Sequence, residues 1–550
     1  MALDAWWVAT YRHGFPLDVD EAGYMSIALD NYFALDAGGI HGWWHSIELQ
    51  APQAPLVPAV TSLILVFSQG IMQGFATLAL FLVVLMLATY GIAERLAGPR
   101  LGALTAIVVG TLPGVFYNLR EFIFALPVAA LLACAVYALM RSESMQRSRW
   151  ALACGVAIGL MLLSRTMSVA FVPGIGAAAL LTIALRPRED WAIGILNLGV
   201  AAISAFAVAA TWYWRNLDPV VEYLTEFGYG SHASEFGEHH SILSWDWWHA
   251  VATRITAFDL LVPMAALILV GLIALGVEVA RRIATSDDRR TVVLGLLHSE
   301  VLAVGLVFAA GYFALSSSEN VGSGFTLPIT VLLAPISVVA LRVHPRAVLP
   351  ALALVALVTA VNVISTSTIS GSLTRQRTVD VPGFGALPWV NGVPKAVAAI
   401  REQVPGPEWR FDDTDRAYNE VNYDLDRYIV DDLGTLPTVP VTIYGTRSRV
   451  LNTNSLTLET LQRYRGRVIP LAQVQPTPEN AASEYVAQLE DPANGPPGVL
   501  VTTSPTTGDF EPIIEQRPME EAARQAGFRL VRTFTVPFST RVLVWQKQEP

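Results

Sequence analysis

Cysteine is nearly absent: Cys134 and Cys154 are the only two in 550 residues, and both lie inside apolar runs. That excludes a disulfide framework. Lysine is as scarce, with Lys395 and Lys547 alone, so almost all the positive charge is arginine. Charged residues reach only 15%, where a soluble domain carries about a quarter. The formal net charge is −10, and no basic stretch exists to track a phosphate backbone, which excludes nucleic acid as a partner. No internal repeat is visible. The opening "MALDAWWVATYRHG" lacks an apolar core followed by small residues and does not read as a cleavable leader.

What the chain has instead is apolar length. Hydrophobic residues make up 53%, and runs near 20 residues recur, long enough to cross about 30 Å of hydrocarbon. Ten spans are expected: 72–94, 101–117, 121–140, 151–167, 170–185, 191–213, 258–280, 293–315, 325–341 and 347–367. Residues 55–68 are apolar but too short to cross, and read as an interfacial or re-entrant helix. His298 and Glu300 fall near the inner end of the 293–315 span. They are either a buried pair of the kind transporters use or interfacial residues of a span that starts near 299.

Arginine sets the orientation, because cytoplasmic loops retain positive charge. Thirteen arginines between Arg95 and Arg346 fall in one set of alternate loops, against Arg12, Arg120, Arg165, Arg215 and Arg254 in the other. The first set is therefore expected on the cytoplasmic side. The first loop (12–55), the long loop 214–257 and the C-terminus are then extracytoplasmic. Ten spans with both ends outside also imply either a segment upstream or residues 1–14 held against the bundle as a partial helix. After about residue 370 the composition turns polar. Runs such as "VPVTIYG", "GVLVTTS" and "TRVLVWQK", with a helix-like "MEEAARQAG", predict an α/β domain over 371–550. The fold class is thus a polytopic α-helical membrane protein with a C-terminal extracytoplasmic α/β domain.

Three features carry candidate chemistry. "PLDVDEAGYMSIALD" holds Asp18, Asp20 and Glu21 beside apolar sequence. Like charges held close raise one pKa, which suits a general base; otherwise they are solvated loop residues. Arg120, Arg165 and Arg215 run against the charge bias, each near the outer end of a different span. Either they snorkel to headgroups or they converge on an anion such as a lipid phosphate. In the 214–257 loop, His232, Glu235, Glu238, His239 and His240 form no recognised zinc pattern, so an acceptor-facing or gating loop is expected and no metal is assigned. Outer tryptophans at positions 6, 7, 43, 44, 212, 214, 245, 247 and 248 read as an interfacial belt, or in part as a stacking wall. Carboxylates and cations together suit transfer of a sugar that already sits on a phosphate leaving group. One base to deprotonate an acceptor hydroxyl and cations to hold the departing phosphate suffice.

The succession "DVDEAGY", "APLVP", "NLREFIFALPVAALLACAVYAL", "GLMLLSRTMSVAFVP" and "TWYWRNLDP" resembles the GT-C superfamily of polyprenyl-phosphate-sugar-dependent membrane glycosyltransferases. It is most similar to the branch with protein O-mannosyltransferases and lipid A aminoarabinose transferases, over roughly residues 16–370. The resemblance implies an inverting glycosyltransferase taking its sugar from a polyprenyl-phosphate donor to an extracytoplasmic acceptor, with no required cofactor. It implies Asp20 as catalytic base, Glu21 assisting the acceptor, and Glu121 as a second acidic residue near the outer start of a later span. His239 and His240 remain candidates for the acceptor side. A family member would begin with a membrane helix ahead of the acidic loop; in the given sequence only residues 1–15 precede that stretch. The alternatives are a transporter or flippase of lipid-linked sugars, or a lipid-linked polysaccharide ligase or polymerase.

Overall fold

The computed structural model describes residues 2–12, 17–68, 70–230, 233, 244–288, 290, 295–296, 299–318, 320, 322, 324–343, 345–366, 377–390, 413–432, 441–448, 450–466, 469–491, 497–505, 513–536 and 540–548. The chain forms two compact units. One comprises Trp44–Thr61 and Phe75–Pro394; the other comprises Ala2–Trp43, Ser62–Gly74 and Lys395–Pro550.

The first unit is a helical bundle of a multi-pass membrane protein. Met72–Ala97, Thr166–Ala184, Arg188–Gly228 and Trp245–Thr285 are each long and apolar enough to cross a bilayer. Pro99–Gly110 and Pro113–Arg120 make a fifth such span if taken together, bent by 53°. Shorter apolar helices, among them Ala125–Arg141, Ser148–Ser164 and Leu327–Arg342, overlap other expected intervals. The bend has a local cause. Pro113 has no N–H and disfavours helix at the residue before it, and Leu112 is extended at φ −62°, ψ 142°. Where helices meet, small residues let backbones approach. A Cβ on Gly155 would lie 2.1 Å from the carbonyl oxygen of Ala201, so Ser148–Ser164 and Trp191–Gly228 touch at bare backbone.

Several boundaries differ from the sequence reading. Trp191–Gly228 continues as one helix past residue 213, with Pro219 inside it and a break at Asn216 (φ −116°). Pro219 removes the hydrogen bond that Arg215 would accept, which kinks the helix without ending it. The segment expected as the first loop is also largely helical: Val19–Glu48 forms a helix kinked at Gly39, whose φ of 60° suits a residue without Cβ. Residues 55–68 contain the ten-residue helix Leu56–Leu65. Glu300 opens the helix Glu300–Ser316 beneath an N-cap from Ser299, and Arg95 Nε donates to its carboxylate at 3.0 Å. The described helix thus starts beyond residue 299; His298 lies outside the described residues. The antiparallel hairpin of β1 (Arg377–Val381) and β2 (Gly385–Val390) also belongs to this unit, although the composition changes before it.

The second unit holds an α/β domain. Its sheet comprises β3 (Val441–Tyr444), β4 (Leu471–Gln473), β5 (Pro497–Ser504), β6 (Phe528–Thr535) and β7 (Arg541–Lys547), in the order β4-β3-β5-β7-β6. β3 pairs parallel with β4 and β5, and β7 pairs antiparallel with β5 and β6. The helices Ala482–Leu489 and Gln516–Gln525 supply Tyr485, Leu489, Met519 and Ala522 to a core shared with Ile443, Leu500 and Trp545. Gly527, at φ 79°, turns the second helix into β6. On the helices Asp413–Arg427 and Thr453–Tyr464, burial pushes the Asp426 carboxyl above the usual carboxylate range, while Thr460 and Arg463 oppose the shift. The N-terminal stretch of this unit carries the helix Ala2–Tyr11, with Asp4 and Trp7 buried.

Candidate active site

The acidic stretch is a helix start. Ala22 N donates to the Asp18 carbonyl at 2.8 Å, which makes Asp18 the N-cap of Val19–Glu48. Asp20 N points to Asp18 Oδ1 at 3.4 Å, and Asp18 N donates to Glu21 Oε2 at 3.0 Å. Glu21 thus supplies its half of a capping box, while the Asp18 side chain faces the second helical N–H; three carboxylates also suit the positive end of the helix dipole. Arg12 Nη2 then donates to both Glu21 oxygens at 2.8 Å, with both side chains buried. Asp20 is the exposed member of the three.

Glu21 is therefore held by Arg12 and the Asp18 backbone within its own unit. Truncating one partner of a buried ion pair costs about 3–5 kcal/mol because the other charge is stranded. Glu21→Gln is expected to lower the unfolding temperature of the detergent-purified protein, with Arg12→Leu/Glu21→Leu less damaging than either single change. An unchanged melting temperature with a raised acceptor KM would instead return Glu21 to the acceptor.

The three arginines differ sharply. Arg120 ends the helix Pro113–Arg120 wholly buried, its guanidinium 4.8 Å from the centre of the Phe116 ring; Glu121, next to it, is also buried. Arg215 is 64% exposed and forms an ion pair with Glu48. Glu48 in turn accepts from Trp44 Nε1, and its backbone carbonyl accepts from Asn216 Nδ2 at 3.1 Å. The kink at Asn216 thus builds a surface network around a carboxylate that the sequence did not single out.

Arg165 is placed otherwise. It separates the helix Ser148–Ser164 from the 3-10 turn Thr166–Phe171, with extended backbone at φ −159°, ψ 128°. Its guanidinium stacks 4.1 Å from the centre of the Phe325 ring, and among the described residues no carboxylate pairs with it. It lines a cavity of about 220 Å³ whose wall is mostly apolar, with Val128, Phe171, Leu224, Leu315 and Pro328. Polar side chains on that wall are spent on backbone: Ser168 Oγ donates to Met161 O, Ser318 Oγ to Gly228 O and Asn320 Nδ2 to Phe227 O. A cation beside an apolar slot suits an amphiphile with an anionic head.

His239 and His240, with His232, Glu235 and Glu238, lie outside the described residues. The tryptophans divide: Trp7, Trp212 and Trp247 are core residues, while Trp214 and Trp245 are exposed. A second carboxylate outside the sequence candidates is Asp259. Asp259 is buried in Trp245–Thr285, and its Oδ2 accepts from Thr326 and Thr330 hydroxyls at 2.7 Å each. An acidic residue inside an apolar span was the available signal; its hydroxyl partners come from a distant helix.

Residues 52–214 match the sequence family PMT_2, dolichyl-phosphate-mannose-protein mannosyltransferase. No curated protein matches the sequence. Among solved structures, the fold is similar to ArnT from Cupriavidus metallidurans bound to undecaprenyl phosphate, at 15% identity and a TM-score of 0.56, covering 99% of this chain and 96% of that one. The apo state of that protein gives 0.55 at the same identity and coverage. The Archaeoglobus fulgidus oligosaccharyltransferase in its apo form matches at 12% identity and a TM-score of 0.48, over 97% of this chain and 71% of that one. Residues 52–214 thus resemble a membrane mannosyltransferase family, and the whole chain shares the fold of ArnT.

Proposed function

We propose that the chain transfers a sugar from a polyprenyl-phosphate donor to an acceptor hydroxyl on the extracytoplasmic side, inverting the anomeric centre. The observation that carries this reading is Arg165, a cation without a carboxylate partner among the described residues, in the lining of a mostly apolar cavity. An isoprenoid chain suits the apolar wall and its phosphate suits the guanidinium. That ArnT was solved with undecaprenyl phosphate supports the same donor class here.

Asp20 is assigned the base. It accepts the proton of the acceptor hydroxyl as that oxygen bonds to the anomeric carbon, and the bond from that carbon to the phosphate oxygen breaks. Polyprenyl phosphate departs with the electron pair, its charge met by Arg165. Attack opposite the leaving group inverts the centre, as in single displacement at other glycosyl carbons. This step calls for neither a general acid nor a metal. The orientation rests on the arginine bias between alternate loops.

The test is mass spectrometry of lipid that copurifies in mild detergent, followed by transfer of labelled sugar from a synthetic polyprenyl phosphate of the species found. A polyprenyl-phosphate sugar that is consumed on adding acceptor is the expected result. Flipping of the lipid-linked sugar between leaflets of proteoliposomes, without transfer, would overturn the enzyme in favour of a flippase.

A further inference from the structure

We infer that Asn454, in the α/β domain, is a positioning residue for Asp20; this rests on the assignment of Asp20 as base. The helix Thr453–Tyr464 is capped by Asn452, whose Oδ1 accepts from Ser455 N at 3.0 Å. Asn452 Nδ2 is committed to Ser448 O at 3.1 Å. Asn454 is not needed for the cap, and its Nδ2 donates to the carbonyl oxygen of Val19 at 2.9 Å.

That carbonyl belongs to the peptide unit that ends in Asp20 N. Its other end points to Asp18 Oδ1 at 3.4 Å. Both ends of the 19–20 peptide are therefore held, one from within the acidic stretch and one from a helix more than 400 residues later. A peptide is a rigid plane, so holding its two ends fixes the direction in which the Asp20 side chain leaves the helix.

Gly23 makes the contact sterically feasible. A Cβ there would stand 2.9 Å from Asn454 Nδ2 and 3.2 Å from its Cγ, so glycine leaves the room that the amide occupies. A second approach lies just past the C-terminal end of Thr453–Tyr464: a Cβ on Gly466, at φ +84°, would lie 3.6 Å from Phe33 Cβ. Gly23 and Phe33 are ten residues apart, about 15 Å of helix at 1.5 Å per residue. The domain thus approaches the Val19–Glu48 helix at both points, and it thereby acquires a task in catalysis: it aims the base.

The experiment is a two-residue cycle on the full-length protein in detergent, using the polyprenyl-phosphate sugar identified by mass spectrometry. Asn454→Ala is expected to lower kcat about three- to tenfold, the worth of one hydrogen bond, with donor affinity and melting temperature unchanged. Gly23→Ala is expected to lower kcat as well, because its methyl displaces the amide. The double variant should be no worse than Asn454→Ala alone, since the space is already vacated. Asn454→Asp, which keeps the shape and loses the donor, should behave like the alanine variant. Full kcat in Asn454→Ala, or losses that multiply in the double variant, would overturn the inference. Failure of the underlying assignment is separable: full turnover by Asp20→Asn removes the base itself, whereas an inactive Asp20→Asn beside a fully active Asn454→Ala removes only the positioning role.

Discussion

Asp20→Asn is expected to cut turnover by roughly 10²–10⁴, the usual worth of a general base, and to leave donor binding intact. The substitution keeps size and hydrogen-bonding capacity, so the helix start survives, but the side chain no longer takes up a proton. The neighbouring carboxylates supply the contrast. Asp18 caps the helix through its carbonyl and side chain, and Glu21 is occupied by Arg12 and the Asp18 N–H. Asp18→Asn keeps a good cap residue and should retain most activity. Transfer of labelled sugar, with donor affinity measured separately by displacement of a fluorescent polyprenyl phosphate, separates the outcomes. If Asp20→Asn transfers at the parental rate, the acidic stretch is a helix cap and nothing more.

That alternative was itself legible. Asp18-x-x-Glu21 has the spacing of a capping box, yet a pair of adjacent carboxylates invites a catalytic reading first. The membrane helices were readable because burial in lipid demands about 20 apolar residues per crossing, and such runs leave little ambiguity. Strands β3, β5 and β7 were readable for a similar reason, being dense in valine, leucine, isoleucine and threonine; β4, only Leu471–Gln473, was too short to signal. Val19–Glu48 escaped because glycines, acidic residues and tryptophans interrupt its apolar pattern. What no local pattern carries is long-range pairing. Glu48 finds Arg215, Asp259 finds Thr326 and Thr330, and Asn454 finds Val19, each across a separation set by tertiary packing. For the arginines, sequence offered three candidates, and surroundings then separated them.

Those surroundings set the second large expectation: Arg165→Ala should weaken donor binding about ten- to a hundredfold. A hydrogen bond to a charged group contributes about 1.5–3 kcal/mol, and 1.4 kcal/mol is a factor of ten in affinity. Arg165 is the arginine with this leverage, because it lines the cavity and no carboxylate among the described residues competes for it. Arg215 already answers to Glu48 on an exposed surface, where a pair is worth about 0–1 kcal/mol, so Arg215→Ala should change donor affinity severalfold at most. Arg165→Lys should fall between the parent and alanine. It keeps the charge but gives up the planar fork that binds phosphate in two places and the stacking on Phe325. Because a cation at the phosphate acts on the bound ground state as well as the transition state, the loss should appear in donor KM before kcat. Equal donor affinity in Arg165→Ala and the parent would detach the cavity from the phosphate. A larger loss in Arg215→Ala than in Arg165→Ala would move the phosphate to the Glu48 network, with Glu48 as the gate that must release its arginine first.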